Sequence, residues 1–355
     1  MRKILLNLSI IIYTAEGQQI AVPAFNLRNA LYINFNGGLS ARGKVRLILQ
    51  NFLTVGQQVL IIFILISVGF ICGKTRLIKE DGASCLTDIV LYAVTPCLMI
   101  EAFQRDFDAS MLTNLLITAA AALGVHLLSI LIAALCINDR DKPRRTVLRF
   151  SVIFSNCGFM CLPLEQALLG EDGVFYGSVF IAVFNIVLWS YGLVMMSGDK
   201  KQLSIKKLAL NPGISGVLIG IVFFVCSIRL PEILMAPISF LSGLNTPLPM
   251  LVIGYYLYRS NLIDAVKDVK SYIAIALRLV VIPVLSLAIL YWWGLRGTLL
   301  LSTVIAASAP VAASTTMFAT KFNKDIAASV NLVSLSTIFS ILTMSLIVGF
   351  AQTIM

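Results

Sequence analysis

Long apolar blocks follow one another along this chain, separated by short polar or basic segments. They lie at about 54–73, 83–103, 111–137, 147–169, 174–197, 213–230, 233–258, 271–293, 298–320 and 326–353. Each is close to the ~20 residues that an α-helix needs to cross a bilayer. The pattern predicts an all-α membrane protein with ten transmembrane helices in one domain, residues 53–355. Residues 1–52 read differently. Met1–Ile12 has a basic start and an apolar run too short to span, like a weak signal sequence, with Tyr13-Thr14-Ala15 as a poor cleavage site. Glu16–Asn51 is polar and aperiodic, as expected of an irregular extension or of a start codon assigned too early.

Composition agrees with the blocks. The chain has 355 residues, 59% hydrophobic and 12% charged, against roughly 25% charged residues in soluble domains. A net charge of +10 could suggest nucleic acid. The basic residues instead collect in alternate loops, as membrane topology requires, so no nucleic-acid partner is expected. His126 is the only histidine and most of the seven cysteines lie inside apolar runs. Neither a metal site nor a disulfide framework is expected. Cys157 and Cys161, four apart, read as small residues in a tight helix contact.

Charge placement gives an orientation. Lys and Arg in successive loops number 3, 1, 5, 0, 4, 1, 3, 1 and 2. The odd loops hold 17 and the even loops 3. The odd loops are therefore expected in the cytoplasm, with both ends of the ten-span core outside the cytoplasmic (inner) membrane. Arg42, Lys44 and Arg46 conflict with this, lying just before the first span on the outer side.

Two spans carry residues that a helix in lipid normally avoids. The fourth contains Ser151–Pro163, SVIFSNCGFMCLP, with Asn156, Gly158 and Pro163. The ninth is interrupted near Pro310, within Ala306–Ser314. Proline and glycine weaken a helix. Backbone freed at membrane depth must be satisfied by protein or by a water-filled cavity. The second span reads Thr95-Pro96-Cys97-Leu98-Met99 and the seventh Thr246-Pro247-Leu248-Pro249-Met250, an offset of 151. The same offset carries 156–163 onto 307–314. This predicts two inverted five-helix repeats, about 53–198 and 212–355, with broken helices 4 and 9 crossing.

Three segments, SNCGFMCLP at 155–163, ASAPVAAS at 307–314 and LYAVTPCLM at 91–99, resemble the auxin efflux carrier family, including its bacterial malate- and malonate-permease-like members. The resemblance covers about residues 53–355, and the Arg278–Pro283 segment shares it. Asn156, Gly158 and Pro163 fit the family pattern Asn-x-Gly-x-x-Gly-x-Pro, whereas Cys161 stands at its second glycine. The resemblance implies a fold like that of bile-acid symporters and sodium–proton antiporters. It also implies organic anions as substrates: auxin-like acids, malate or malonate.

Broken helices leave backbone N–H groups free at N-terminal ends that carry partial positive charge. Two such ends facing one cavity would attract an anion without a lysine. Asn156, Ser155, Ser308 and Ser314 could add donors, with Gly158, Pro163 and Pro310 shaping the breaks and Thr95, Pro96, Thr246 and Pro247 lining the site. Each of these residues could instead serve only to satisfy or pack a kinked backbone. His126 could accept a coupling proton or sit neutral in the bundle. Arg278 could face the anion or snorkel to the surface. Asp88 reads as a partner for a basic group. Glu165 is expected toward the outer end of its span, and no midplane acidic pair is expected. No cofactor is expected, with H+ or Na+ as coupling ion. The expected partners are a small organic anion and membrane lipid, and a homodimer is compatible with the sequence. No nucleophile elbow or HExxH motif is present, so an intramembrane enzyme is disfavoured. A channel or a sensor derived from a transporter stays as the alternative.

Overall fold

The computed structural model describes residues 9–13, 19–23, 41–202, 212–259 and 268–354, with side chains from Phe52 onward. Thr14 and Ala15 of the expected cleavage site, and the central-loop residues Lys206 and Lys207, lie outside the described residues. The chain divides into two compact units, Met1–Asn51 and Phe52–Met355. In the first, strands β1 (Ser9–Tyr13) and β2 (Gln19–Pro23) pair antiparallel, Ile11 opposite Ala21. This corrects the expectation of a wholly irregular extension. The β-branched run Ile10–Ile12 finds a second apolar run, Ile20–Val22, a short connection away. Helix α1 (Ala41–Lys74) also starts well before the predicted first span.

The second unit is helical. Its elements are the rest of α1, then α2 (Glu80–Ala102), α3 (Ala109–Cys136), α4 (Lys142–Ile153), α5 (Cys157–Ser197), α6 (Pro212–Val225), α7 (Glu232–Arg259), α8 (Val269–Trp292), α9 (Gly297–Ser308), α10 (Ser314–Lys321) and α11 (Ile326–Ile354). Among the described residues seven helices are long and apolar enough to cross a membrane, and α6 and α9 are shorter apolar helices. Helix α5 is bent at Gly170, whose φ of 67° is open to glycine at little steric cost.

Three prolines share one local device. The wide turns Val90–Val94, Cys157–Cys161 and Leu277–Val281 each end two residues before a proline: Pro96, Pro163 and Pro283. Proline offers no N–H and crowds the carbonyl of the preceding turn. An i→i+5 turn relieves both problems without ending the helix. Pro163 therefore lies in the first turn of regular helix, and the break itself falls earlier, at Phe154–Asn156.

Packing sorts the helices into two blocks. Helix α2 packs on α6 and α7. Helix α1 meets α7 where a Cβ on Gly69 would lie 2.3 Å from the Leu251 carbonyl oxygen, and one on Gly254 2.0 Å from that of Ile66. Only glycine admits backbones this close. The other block joins α3, α4 and α5 to α8, α9, α10 and α11. Arg144 and Lys270 hold Asp139 between α3 and α4 within it, at 3.8 and 2.9 Å. The hydrogen bond from Lys270, first, holds the Asp139 carboxyl below its ordinary range.

Candidate functional site

The two interrupted stretches meet. Helix α4 stops at Ile153 and α9 at Ser308. The extended residues beyond them pair antiparallel, Ser155 opposite Val311. The Asn156 N–H donates to the Pro310 carbonyl at 2.7 Å, and the Ala312 N–H to the Phe154 carbonyl at 3.0 Å. Ser336 of α11 accepts from the Val311 N–H at 3.0 Å. Buried backbone that leaves a helix needs such partners.

The helix ends around this crossing divide by sign. On the carbonyl side, Arg278 of α8 is 1% exposed. Its Nη1 donates to Val152 and Ile153 at 3.1 and 3.2 Å, and its Nη2 donates to Ala307. One guanidinium thus serves the C-terminal ends of both α4 and α9, where helix dipoles favour a cation. On the amide side, the starts of α5 and α10 border a cavity of about 510 Å³.

That cavity brings together Ser155, Asn156, Gly158, Ser314 and Thr95. Asn156 is 5% exposed, and its Nδ2 has no hydrogen-bond partner among the described residues; the buried Ser314 Oγ also lacks one there. A Cβ on Gly158 would meet nothing within 4 Å. Phe159, Phe184, Leu188, Trp189, Ile253 and Tyr256 supply an apolar wall. Exposed Glu80, Asp88 and Lys321 belong to the lining at one end. Glu80 pairs with Arg259 at 3.7 Å, whereas Asp88 forms no ion pair among the described residues.

Other expected site residues lie outside this lining. Ser308 is fully buried and donates to the Val304 carbonyl at 2.6 Å. Pro163, Pro310, Thr246 and Pro247 do not border the cavity, and Pro96 packs close to Gly216 of α6. His126 is buried, its Nδ1 2.7 Å from the Ala122 carbonyl and its ring beside Phe180 and Phe184. Arg278 is neither on the cavity wall nor at the surface.

Residues 54–348 match the family described as membrane transport proteins. The chain belongs to this family, that of the auxin efflux carriers. It is a multi-pass membrane transporter and not an enzyme. Among similar members is an uncharacterized transporter of Methanothermobacter thermautotrophicus, 25% identical over 295 residues, which cover 82% of this chain and 96% of the relative. Another is an uncharacterized transporter of Methanocaldococcus jannaschii, 25% identical over 301 residues, covering 81% and 96%.

Two features of this carrier had little signal in the sequence. Arg278 as a double cap could be anticipated only from a lone arginine inside an apolar block. Glu165 was expected toward a helix end, yet it is fully buried. Ser302 of α9 donates to its Oε1 at 3.2 Å, and its Oε2 has no hydrogen-bond partner among the described residues. Gly177 makes the room: a Cβ there would stand 1.7 Å from Oε2. The helix-spaced glycines Gly173 and Gly177 were the one available hint.

Proposed function

We propose that the protein is a secondary active transporter that moves a small organic anion across the cytoplasmic membrane by alternating access. The carrying observation is the unpartnered Asn156 Nδ2, buried and beside a cavity that two helix N-termini border. Buried polar groups are normally hydrogen-bonded, so an unpartnered donor on a cavity-lining residue suits a ligand acceptor that a small side-chain rotation would reach. Helix N-termini favour anions. A cavity of about 510 Å³ is within the usual range for small-molecule sites. A carboxylate would sit against Asn156, Ser155 and Ser314, and its organic body against Phe159, Trp189 and Tyr256.

In this reading the polypeptide crosses the membrane ten times. Helix α5 counts as two arms about Gly170, with α4 and the first arm making the fourth crossing, and α9 with α10 the ninth. The two sets of five form an inverted repeat, and the block holding the crossing moves against the other. Charge asymmetry puts Lys74–Lys79 and Lys321–Lys324 in the cytoplasm, so the cavity opens inward here. A substrate, H+ or Na+ gradient, or the membrane potential, drives the cycle.

Proteoliposome uptake of labelled malate, malonate and an auxin-like aromatic acid tests this. Saturable, gradient-dependent uptake of at least one is expected, and Asn156→Ala should weaken apparent affinity about tenfold or more, as for loss of a hydrogen bond to a charged group. A steady unitary current would favour a channel instead. Unchanged uptake by Asn156→Ala would remove Asn156 from the site.

A further inference from the structure

Away from the cavity mouth, the two blocks touch where α2 and α6 pack on α5 and through the segment that follows α2. Phe103 and Phe224 of α6 pack on Phe175 of α5, with ring centroids 4.9 and 5.4 Å from it, and Phe107 packs behind on Phe224 at 5.4 Å. Helix α1 also meets α11, where a Cβ on Gly349 would lie 3.1 Å from Phe52 Cα. The residues between α2 and α3 then alternate in direction. Gln104 accepts from the Leu230 N–H at 2.9 Å, and Asp106 pairs with Arg229 at 3.0 Å. Both contacts stay within the block of α2, α6 and α7.

Arg105 crosses to the other block. Its Nη1 is 2.7 Å from Asp172 Oδ1, and its Nη2 is 3.9 Å from Glu171. Its guanidinium carbon stands 4.5 Å over the Phe175 ring. The arginine side chain is 16% exposed, while Asp172 and Glu171 are 59% and 89% exposed. A half-buried cation stacked on an aromatic ring and paired with water-facing carboxylates is a contact that can open cheaply. Exposed ion pairs contribute little, and the stacking adds modestly.

We propose that Arg105 is the gating residue of the closed side: its contacts with Asp172 and Phe175 hold the two blocks together while the cavity is open at the opposite end, and break when access alternates. Gln104 and Asp106 fix the segment to one block, so that Arg105 is presented to the other. The inference rests on the alternating-access reading and its orientation. It goes beyond that reading in naming the contact that sets which side is shut.

The test uses the full-length chain in intact cells, with Cys72, Cys85, Cys136 and Cys226 replaced by serine. Thr95 on the cavity wall becomes the reporter as Thr95→Cys. A membrane-impermeant maleimide is added outside, and the same background without Thr95→Cys corrects for Cys97, Cys157 and Cys161. Labelling is normalised to protein that elutes as a folded species in detergent. Slow labelling is expected with Arg105 in place. Arg105→Ala should accelerate it about fivefold, the scale of one weak ion pair. The double variant Glu171→Gln, Asp172→Asn, which keeps arginine and its stacking, should also accelerate it. Arg105→Lys should fall between. Unchanged rates in both Arg105→Ala and the double variant overturn the gate. Fast labelling of the parent from outside overturns the orientation and the gate with it. Rates that shift as expected in a protein that takes up none of the carboxylates uphold the gate and remove only the substrate class.

Discussion

Replacing Arg278 by methionine separates the crossing from its shared cap while keeping a long, flexible, apolar side chain. Three carbonyls lose their partner: Val152 and Ile153 at the end of α4, and Ala307 at the end of α9. Arg278 is 1% exposed, so water does not replace it freely. A buried polar group left unsatisfied costs ~1–3 kcal/mol. Part of the sum is returned, because the burial cost of the guanidinium also disappears. A net loss of about 3–5 kcal/mol remains. In a chain of this size roughly 2 °C of melting temperature accompanies each kcal/mol, so thermal unfolding in detergent should drop by about 6–10 °C. Arg278→Lys keeps the charge but has no planar fork to reach two helix ends, and should recover roughly half of the loss. If Arg278→Met melted within about 1 °C of the parent, the cap would carry no stability, and helix-end satisfaction would have to come from elsewhere.

Gly177→Ala would push a methyl against Glu165 Oε2, 1.7 Å from the Cβ position, and overpacking of this kind costs ~1–3 kcal/mol. Combining it with Glu165→Ala should give a double variant more stable than the two single losses predict; additive melting temperatures would refute the contact. Asp139 gives a pH prediction. Its carboxyl is held below the ordinary value of 3.8, first by the Lys270 hydrogen bond. The stabilisation is thus fully present above that value and is lost as pH falls through the lower folded one. Thermal melts from about pH 5 to pH 3 should fall more steeply for the parent than for Asp139→Asn, and identical slopes would refute the pairing.

What the sequence disclosed depended on how local the physics was. Apolar blocks and loop charges act over a few residues, so the helix order and the interruption at Pro310 were readable in advance. That Asn156 and Ser314 flank the interruptions was readable from the residues themselves, and the structure puts both on the cavity lining. Of the contacts far apart in sequence, the meeting of the two interruptions was anticipated and the side-chain contacts around it were not. Nothing near Arg278 says that its guanidinium meets Ile153 and Ala307, and nothing near Glu165 says that Ser302 and Gly177 face it. Pro163 misled for a different reason. Proline was assigned to the break, whereas the wide turn at Cys157–Cys161 absorbs it into a helix start, and the break moves to Phe154–Asn156.

The capping of the crossing bears directly on the sign of its ligand. A broken helix offers two ends of opposite partial charge, and a pair of them is electrically undecided while all four ends are free. Here Arg278 occupies the two negative ends, α4 and α9, from inside the protein. The two positive ends, α5 and α10, are left at the cavity, with the Asn156 Nδ2 and Ser314 Oγ buried beside them without a partner among the described residues. The arginine thereby biases the field at the crossing without bordering the cavity: it covers carbonyl ends and leaves the N-terminal ends facing the cavity. An anion can then be held at the crossing by dipoles and neutral donors, which attract it without the strong, slow-releasing pairing of a buried lysine. Lys321 at the cavity's exposed end adds a local attraction, opposed there by Asp88, that salt would screen. Weakened uptake on raising ionic strength should therefore be lost in Lys321→Gln and kept in Asn156→Ala, which separates attraction at the mouth from binding at the crossing.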